Sequence, residues 1–209
     1  MNVVALSVGL PREIVAGSEI IRTAIFKTPV TGRRWVSVTN IEGDRQADLT
    51  VHGGADKAVY AYPAEHYDAW KRELEVGDLP WASFGENLTT RGLLESEVCI
   101  GDRFQIGSAE FVVTQPRVPC YKLGLRMSRA DMIKRFAIES RSGFYLAVEE
   151  EGEIGAGDEI RRLSTDPRGL TVNDVYRLKI DGGSARAMAA AADHPALAAG
   201  WRESFRSRI

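Results

Sequence analysis

Cysteine is scarce in this chain: only Cys99 and Cys120 occur among 209 residues. They form no C-x-x-C pair, so zinc-ribbon and cysteine-ligated iron–sulfur patterns are absent. No window approaches the roughly 18 consecutive apolar residues of a membrane span. The start, Met1–Leu6, lacks a basic segment ahead of its short apolar run and reads as a first strand, not a signal peptide. A reducing cytoplasm is therefore the expected compartment, with both thiols free. Basic excess is missing as well. Twenty-seven Lys and Arg against 29 Asp and Glu give a net charge of −2, so no global field points to nucleic acid. The charge is uneven: residues 167–209 hold seven Lys/Arg and four Asp/Glu, or +3, which leaves −5 for residues 1–166. A solvated helical face accounts for that asymmetry. At 44% hydrophobic and 27% charged, the composition is that of an ordinary globular domain.

What is present is a series of short apolar or alternating runs separated by turn signals. They fall at 3–8, 24–26, 35–38, 59–62, 103–106, 109–114, 143–148 and 159–163. Their spacing, with few helices between them, predicts an antiparallel or mixed barrel in preference to a doubly wound sheet. Helices are expected over 63–74, with Tyr67, Trp70 and Leu74 at helical spacing, and over 128–138, with Ser128 as N-cap. Ser164–Pro167 reads as a linker. Beyond it, Thr171 caps a helix over 172–180, Ser184 caps an alanine-rich helix to about Ala192, and a third spans 196–206. The fold class is thus mainly β with helices (α+β), organised as a β-barrel over 1–163 and a three-helix segment over 167–209.

Three stretches carry candidate chemistry. The first is Gln115-Pro116-Arg117-Val118-Pro119-Cys120-Tyr121-Lys122, after the strand-like run 109–114. It places Cys120 at a strand-to-helix corner between Arg117 and Lys122. A helix N-terminus and nearby cations favour thiolate, as a nucleophile or metal ligand needs. The alternative is a small buried hydrophobe. The second is Asp48–Tyr60, where Gly53-Gly54 lets backbone N–H groups approach an anion and Lys57 adds a point charge. Its spacing is not that of a Walker loop, and a glycine turn with a surface lysine is the alternative. The third is Phe84-Gly85-Glu86-Asn87-Leu88-Thr89, whose Glu and Asn side chains have the donors and acceptors for a heterocycle edge, or for a loop turn.

Together these stretches resemble the MOSC family, the domain found at the C-terminus of molybdenum-cofactor sulfurases. The resemblance rests on Asp48, Val51-His52-Gly53-Gly54, Asp56-Lys57-Ala58, Tyr60, Glu65-His66-Tyr67, Trp70, Phe84–Leu88, Ile100-Gly101-Asp102 and Gln115-Pro116-Arg117-x-Pro-Cys120, and it spans roughly 1–163. The chain is most similar to the stand-alone bacterial type with a C-terminal three-α appendage, for which 167–209 is short.

The resemblance implies a β-barrel that binds molybdenum–molybdopterin, with Cys120 as ligand to the metal. It also implies reduction of N-hydroxylated compounds, such as 6-N-hydroxylaminopurine, to amines. Cofactor contacts are expected from His52, Gly53, Gly54, Lys57, Gly85, Glu86, Asn87, Arg117 and Lys122. His52 is a candidate proton donor, because an imidazole titrates near neutrality, or else a loop-orienting residue. No flavin or iron–sulfur signature is visible, so electrons are expected from a separate redox protein. No pyridoxal-phosphate domain precedes the barrel, so a whole sulfurase of that kind is not expected. The competing reading is a carrier that holds the cofactor, or a persulfide on Cys120, for delivery elsewhere. The expected partners are a small N-hydroxylated substrate, the electron donor and, as an open assembly, a second copy in a homodimer; neither nucleic acid nor membrane is expected.

Overall fold

The computed structural model describes residues 1–48 and 53–209. In chain order the strands are β1 (Asn2–Val8), β2 (Arg12–Ala16), β3 (Glu19–Thr23), β4 (Thr28–Pro29), β5 (Arg34–Ser37), β6 (Asn40–Ile41), β7 (Val59–Pro63), β8 (Leu88–Arg91), β9 (Arg103–Ile106), β10 (Ala109–Pro116), β11 (Phe144–Glu150), β12 (Gly152–Ile154) and β13 (Ile160–Ser164). The helices are α1 (Glu65–Leu74), α2 (Tyr121–Met127), α3 (Met132–Glu139), α4 (Val172–Ile180), α5 (Ala185–Ala192) and α6 (Ala199–Arg206).

Eight strands make one mixed sheet in the order β13-β9-β10-β11-β7-β8-β1-β4. Among the described residues, only β7 and β8 pair in parallel. Parallel neighbours need a crossover, and α1 supplies it. The strand spacing predicted a barrel, and the sheet does not form a closed one. It curls far enough for the start of β1 to meet the residues just before β13: Asn2 bridges Glu159, and Val3 N–H donates to Asp158 O at 2.9 Å. Two smaller sheets, β12-β5-β6 and the β2-β3 hairpin, complete the β structure.

One apolar cluster fills the curl. Val3, Leu6, Phe104, Phe111 and Leu146 from the strands join Val172, Val175, Met188 and Phe205 from the C-terminal helices. A second cluster is aromatic: Tyr60, Tyr62, Tyr67, Trp70, Phe84 and Phe136 pack together under α1 and α3. Each such side chain contributes about 1.5–3 kcal/mol on burial.

Several expected elements shift. The run 24–26 is a connection between β3 and β4, not a strand. Ser128 does not cap a following helix; it closes α2 in the left-handed region, at φ 52°, and the next helix begins only at Met132. The last helix starts at Ala199, not Ala196, because a turn with Leu197 N–H bonded to His194 O occupies the intervening residues. Thr171 and Ser184 cap α4 and α5 as their sequences indicate, Thr171 through a full capping box with Asp174. Among the described residues no helix is long and apolar enough to cross a membrane.

Candidate functional site

Strand β10 sets the site. It ladders with β11 through Pro116, and Arg117 N–H then bonds Gly143 O at 3.3 Å. Pro119 cannot continue a ladder, and the chain turns into α2 with Cys120 as its N-cap. The register slips between Val113 and Gln115, and the hydroxyl of Thr114 at this slip donates to Asp56 O at 2.7 Å. That bond fastens the short 3-10 turn Ala55–Lys57 against the strand leading to Cys120.

Between these pieces lies a half-open cleft of about 630 Å³. The structure brings together Gly53, Lys57, Gly85, Asn87, Arg117, Cys120 and Lys122 at its walls. They come from three stretches distant in sequence. His52 lies outside the described residues. Gly54 opens onto the neighbouring grooves instead.

Glu86 corrects the expectation of a cofactor contact. It is fully buried and faces away from the cleft, accepting bonds from Tyr67 Oη, Thr89 Oγ1, Ala82 N and Phe84 N. Burial raises its carboxyl pKa, and the hydrogen bond from Tyr67 works in the opposite direction. Asn87 lines the cleft, but its amide is already engaged. Its Oδ1 accepts from Tyr60 N at 3.2 Å, and its Nδ2 donates to Ser7 O at 3.2 Å and Asp44 Oδ2 at 3.0 Å. Gly85 sits at φ 77°, and a Cβ there would lie 2.7 Å from Ile25 Cγ1. Only glycine lets this loop pack so closely on the 24–26 connection.

Arg117 is the central cation. It is 6% exposed, its Nη1 donates to Phe84 O, and its guanidinium carbon lies 4.6 Å from the Tyr60 ring centre. Burial opposes its charge, but Tyr60, Tyr145 and Cys120 around it outweigh that and raise its pKa. Lys122 reaches back to Arg22 O at 3.1 Å, holding α2 against the β2-β3 hairpin. Cys120 is half-buried, whereas Cys99 is buried in packing, where desolvation and Asp102 raise its thiol pKa.

Sequence reasoning missed a buried ion pair in the same cleft. Lys27 Nζ bonds Asp44, whose Oδ1 also accepts from Gly9 N at 2.8 Å. Burial lowers the Lys27 pKa, with Asp44 partly restoring it. A lysine closing the apolar run 24–26 was the available signal; its partner, in another loop, was not visible. Tyr60, Tyr145 and Arg45 also line the cleft without having been singled out as contacts. Among the described residues, five cations (Lys27, Arg45, Lys57, Arg117 and Lys122) line the cleft with one carboxylate, Asp44. Such a wall suits a phosphorylated or otherwise anionic ligand. Among the described residues no three His, Cys, Asp or Glu side chains cluster as a metal site.

Against known proteins, residues 48–161 match the MOSC domain. The chain is 39% identical to the uncharacterized protein YflK of Bacillus subtilis, over 98% of this chain and 92% of that one. It is 34% identical to a protein of Gibberella moniliformis named "Reductase", over 78% of this chain but only 29% of the fungal protein's length. Among solved structures, YiiM from Geobacillus stearothermophilus superposes with a TM-score of 0.84 at 33% identity, covering 99% of this chain and 98% of that one. YiiM from Escherichia coli superposes at 0.77 with 26% identity, over 100% of this chain and 92% of that one.

Proposed function

Because this chain belongs to the MOSC domain family, we propose that it is an oxidoreductase holding a molybdenum–molybdopterin cofactor and reducing N-hydroxylated compounds to amines. The observation that carries this reading is the cleft: five cations and one thiol gathered on a molecule whose net charge is −2. The fungal relative named as a reductase supports the reaction class.

The residues present fit the cofactor by the chemistry of their donors. A pterin phosphate is matched by the side chains of Lys27, Lys57, Arg117 and Lys122. A soft thiolate at Cys120 suits a redox metal. The cofactor supplies two-electron redox chemistry when bound. The reaction R–NHOH + 2e⁻ + 2H⁺ → R–NH₂ + H₂O balances when a separate redox protein supplies the electrons. The chain's own part is binding and positioning. Thr114 and Asp56 fix the lysine turn, Asn87 and Asp44 hold the floor, and Arg117 keeps a permanent charge beside Cys120.

Protein purified from a host that makes the cofactor should contain molybdenum and oxidise reduced viologen only when 6-N-hydroxylaminopurine or a related substrate is added. Molybdenum-loaded protein that turns over no N-hydroxylated compound would overturn the enzyme reading and favour a carrier.

A further inference from the structure

The β2-β3 hairpin forms a two-stranded sheet of its own and pairs with no other described strand. A lone hairpin is marginally stable in water and needs packing from elsewhere. Little is supplied at its tip. Val15 and Ile20 face each other across the ladder and are 78% and 70% exposed, and Leu10, just before the hairpin, is exposed as well. The root is what is held: Lys122 of α2 donates to Arg22 O, and Thr23, Ala24 and Ile25 continue into the wall of the cationic cleft. The hairpin is therefore an apolar arm standing at the rim of the site.

A pair of arginines lies at the same root. Arg12 from β2 and Arg126 from α2 both sit over the Phe26 ring, their guanidinium carbons 3.7 and 5.2 Å from its centre. Two like charges on one ring repel each other. Burial lowers the Arg126 pKa, and Arg12 adds to that effect. Arg33, Arg103, Arg135 and Arg141 each meet a carboxylate. Among the described residues Arg12 and Arg126 meet none, and Arg126 Nε is buried without a hydrogen bond. Neither belongs to the walls of the cationic cleft, so an anion in the cleft leaves them unpaired.

We infer that the hairpin and α2 together form the docking surface for an acidic electron-transfer protein. The inference rests on the reductase reading, which needs electrons from a separate protein. Exposed apolar side chains beside arginine have the composition of a protein interface. The arginines set the charge of the partner, because carboxylates on its surface would relieve their repulsion. The location sets its task. Helix α2 starts after its N-cap Cys120, and Arg126 lies six residues on, about 9 Å along the axis at 1.5 Å per residue. A carrier docked there sits beside the wall of the cleft that Cys120 and Lys122 build. For a one-electron carrier C the balance is 2 C(red) + R–NHOH + 2H⁺ → 2 C(ox) + R–NH₂ + H₂O, so each turnover oxidises two carriers.

The probe is an acidic two-iron ferredoxin. It is titrated oxidised into molybdenum-loaded protein by calorimetry, and kept reduced by NADPH and its reductase to drive turnover. Reduced viologen, which needs no docking surface, is the comparison donor. Arg12→Glu reverses one unpaired charge, and Val15→Asp breaks the apolar tip; both positions are exposed, so the fold is kept. Each should weaken ferredoxin binding and raise KM for ferredoxin about tenfold or more. Molybdenum content and the viologen-driven rate should stay level. Added salt should weaken ferredoxin binding and leave viologen turnover unchanged. Ferredoxin that fails to bind wild-type protein, or binds both folded variants equally well, overturns the inference. Vesicles rich in phosphatidylserine that retain wild type but not Val15→Asp, with no ferredoxin bound, overturn it in favour of a membrane surface. Viologen-driven turnover without any from ferredoxin removes the docking surface and leaves the reductase standing. Variant-sensitive ferredoxin binding to loaded protein that reduces nothing with viologen supports the surface and removes the reductase.

Discussion

Glu86 and Asn87 are adjacent in sequence and serve opposite faces of one loop. Asn87 faces the cleft, whereas Glu86 gathers four donors in the aromatic cluster. A glutamine at 86 keeps the acceptor for Tyr67, Ala82 and Thr89 if its oxygen takes the Oε1 position, but its NH₂ then meets the Phe84 N–H head-on. Glu86→Gln should therefore cost about 1–3 kcal/mol through unsatisfied buried groups. For a chain of this size, each kcal/mol lowers the melting temperature by roughly 2–4 °C, readable by calorimetry. An unchanged melting temperature would show that the carboxylate does not hold this loop. At this scale the sequence was informative where chemistry is local: Cys120 between Arg117 and Lys122 was legible from its neighbours. Lys27 with Asp44 was not, because only the fold brings two loops together. Nor could sequence tell that the Asn87 amide would be engaged by Tyr60, Ser7 and Asp44.

Elements were most legible where caps and turns write local chemistry. Thr171 with Asp174 forms the capping box at α4. Thr171→Ala should destabilise the protein by about 1 kcal/mol, seen as a lower denaturant midpoint with unchanged slope. No shift at all would mean that tertiary packing alone fixes the start of α4. The β2-β3 hairpin escaped notice although Gly17-Ser18, a two-residue turn, joins two strand-forming runs. Its side chains are largely exposed, Val15 at 78% and Ile20 at 70%, so it lacks the alternating burial that marks a core strand. Helix α3 was misplaced because Ser128 suits an N-cap in sequence but adopts the left-handed region that ends α2. Capping preference alone does not distinguish the two ends.

For the whole molecule, composition and turn spacing indicated a β-rich body with helices at its end. The strand spacing pointed to a curled, barrel-like sheet; which strands meet was not legible, since it depends on contacts such as Asn2 with Glu159, near opposite ends of the strand region. His194 reports on how the C-terminal helices sit. It is 1% exposed at the turn before α6, with Asp166 Oδ1 3.4 Å from Nε2. Burial lowers its pKa, against the pull of Asp166. A depressed histidine pKa means that the unfolded chain binds the proton more readily. The stabilisation from neutral His194 is thus present above the unfolded value of about 6.5 and is lost as pH falls below it. Unfolding free energy should drop between about pH 7 and 5, and less steeply in His194→Leu. Equal slopes in the two proteins would remove His194 as the cause.

The central claim is that Cys120 anchors molybdenum in the cationic cleft, and elemental analysis tests it most directly. Wild-type protein, Cys120→Ser and Cys99→Ser would be purified from one cofactor-competent host and their bound molybdenum measured by mass spectrometry, with folding checked by circular dichroism. Wild type and Cys99→Ser should retain the metal, Cys99→Ser losing on the order of 1 kcal/mol of stability at most. Cys120→Ser should fold and contain almost none. A folded Cys120→Ser protein that carries as much molybdenum as wild type would contradict the account.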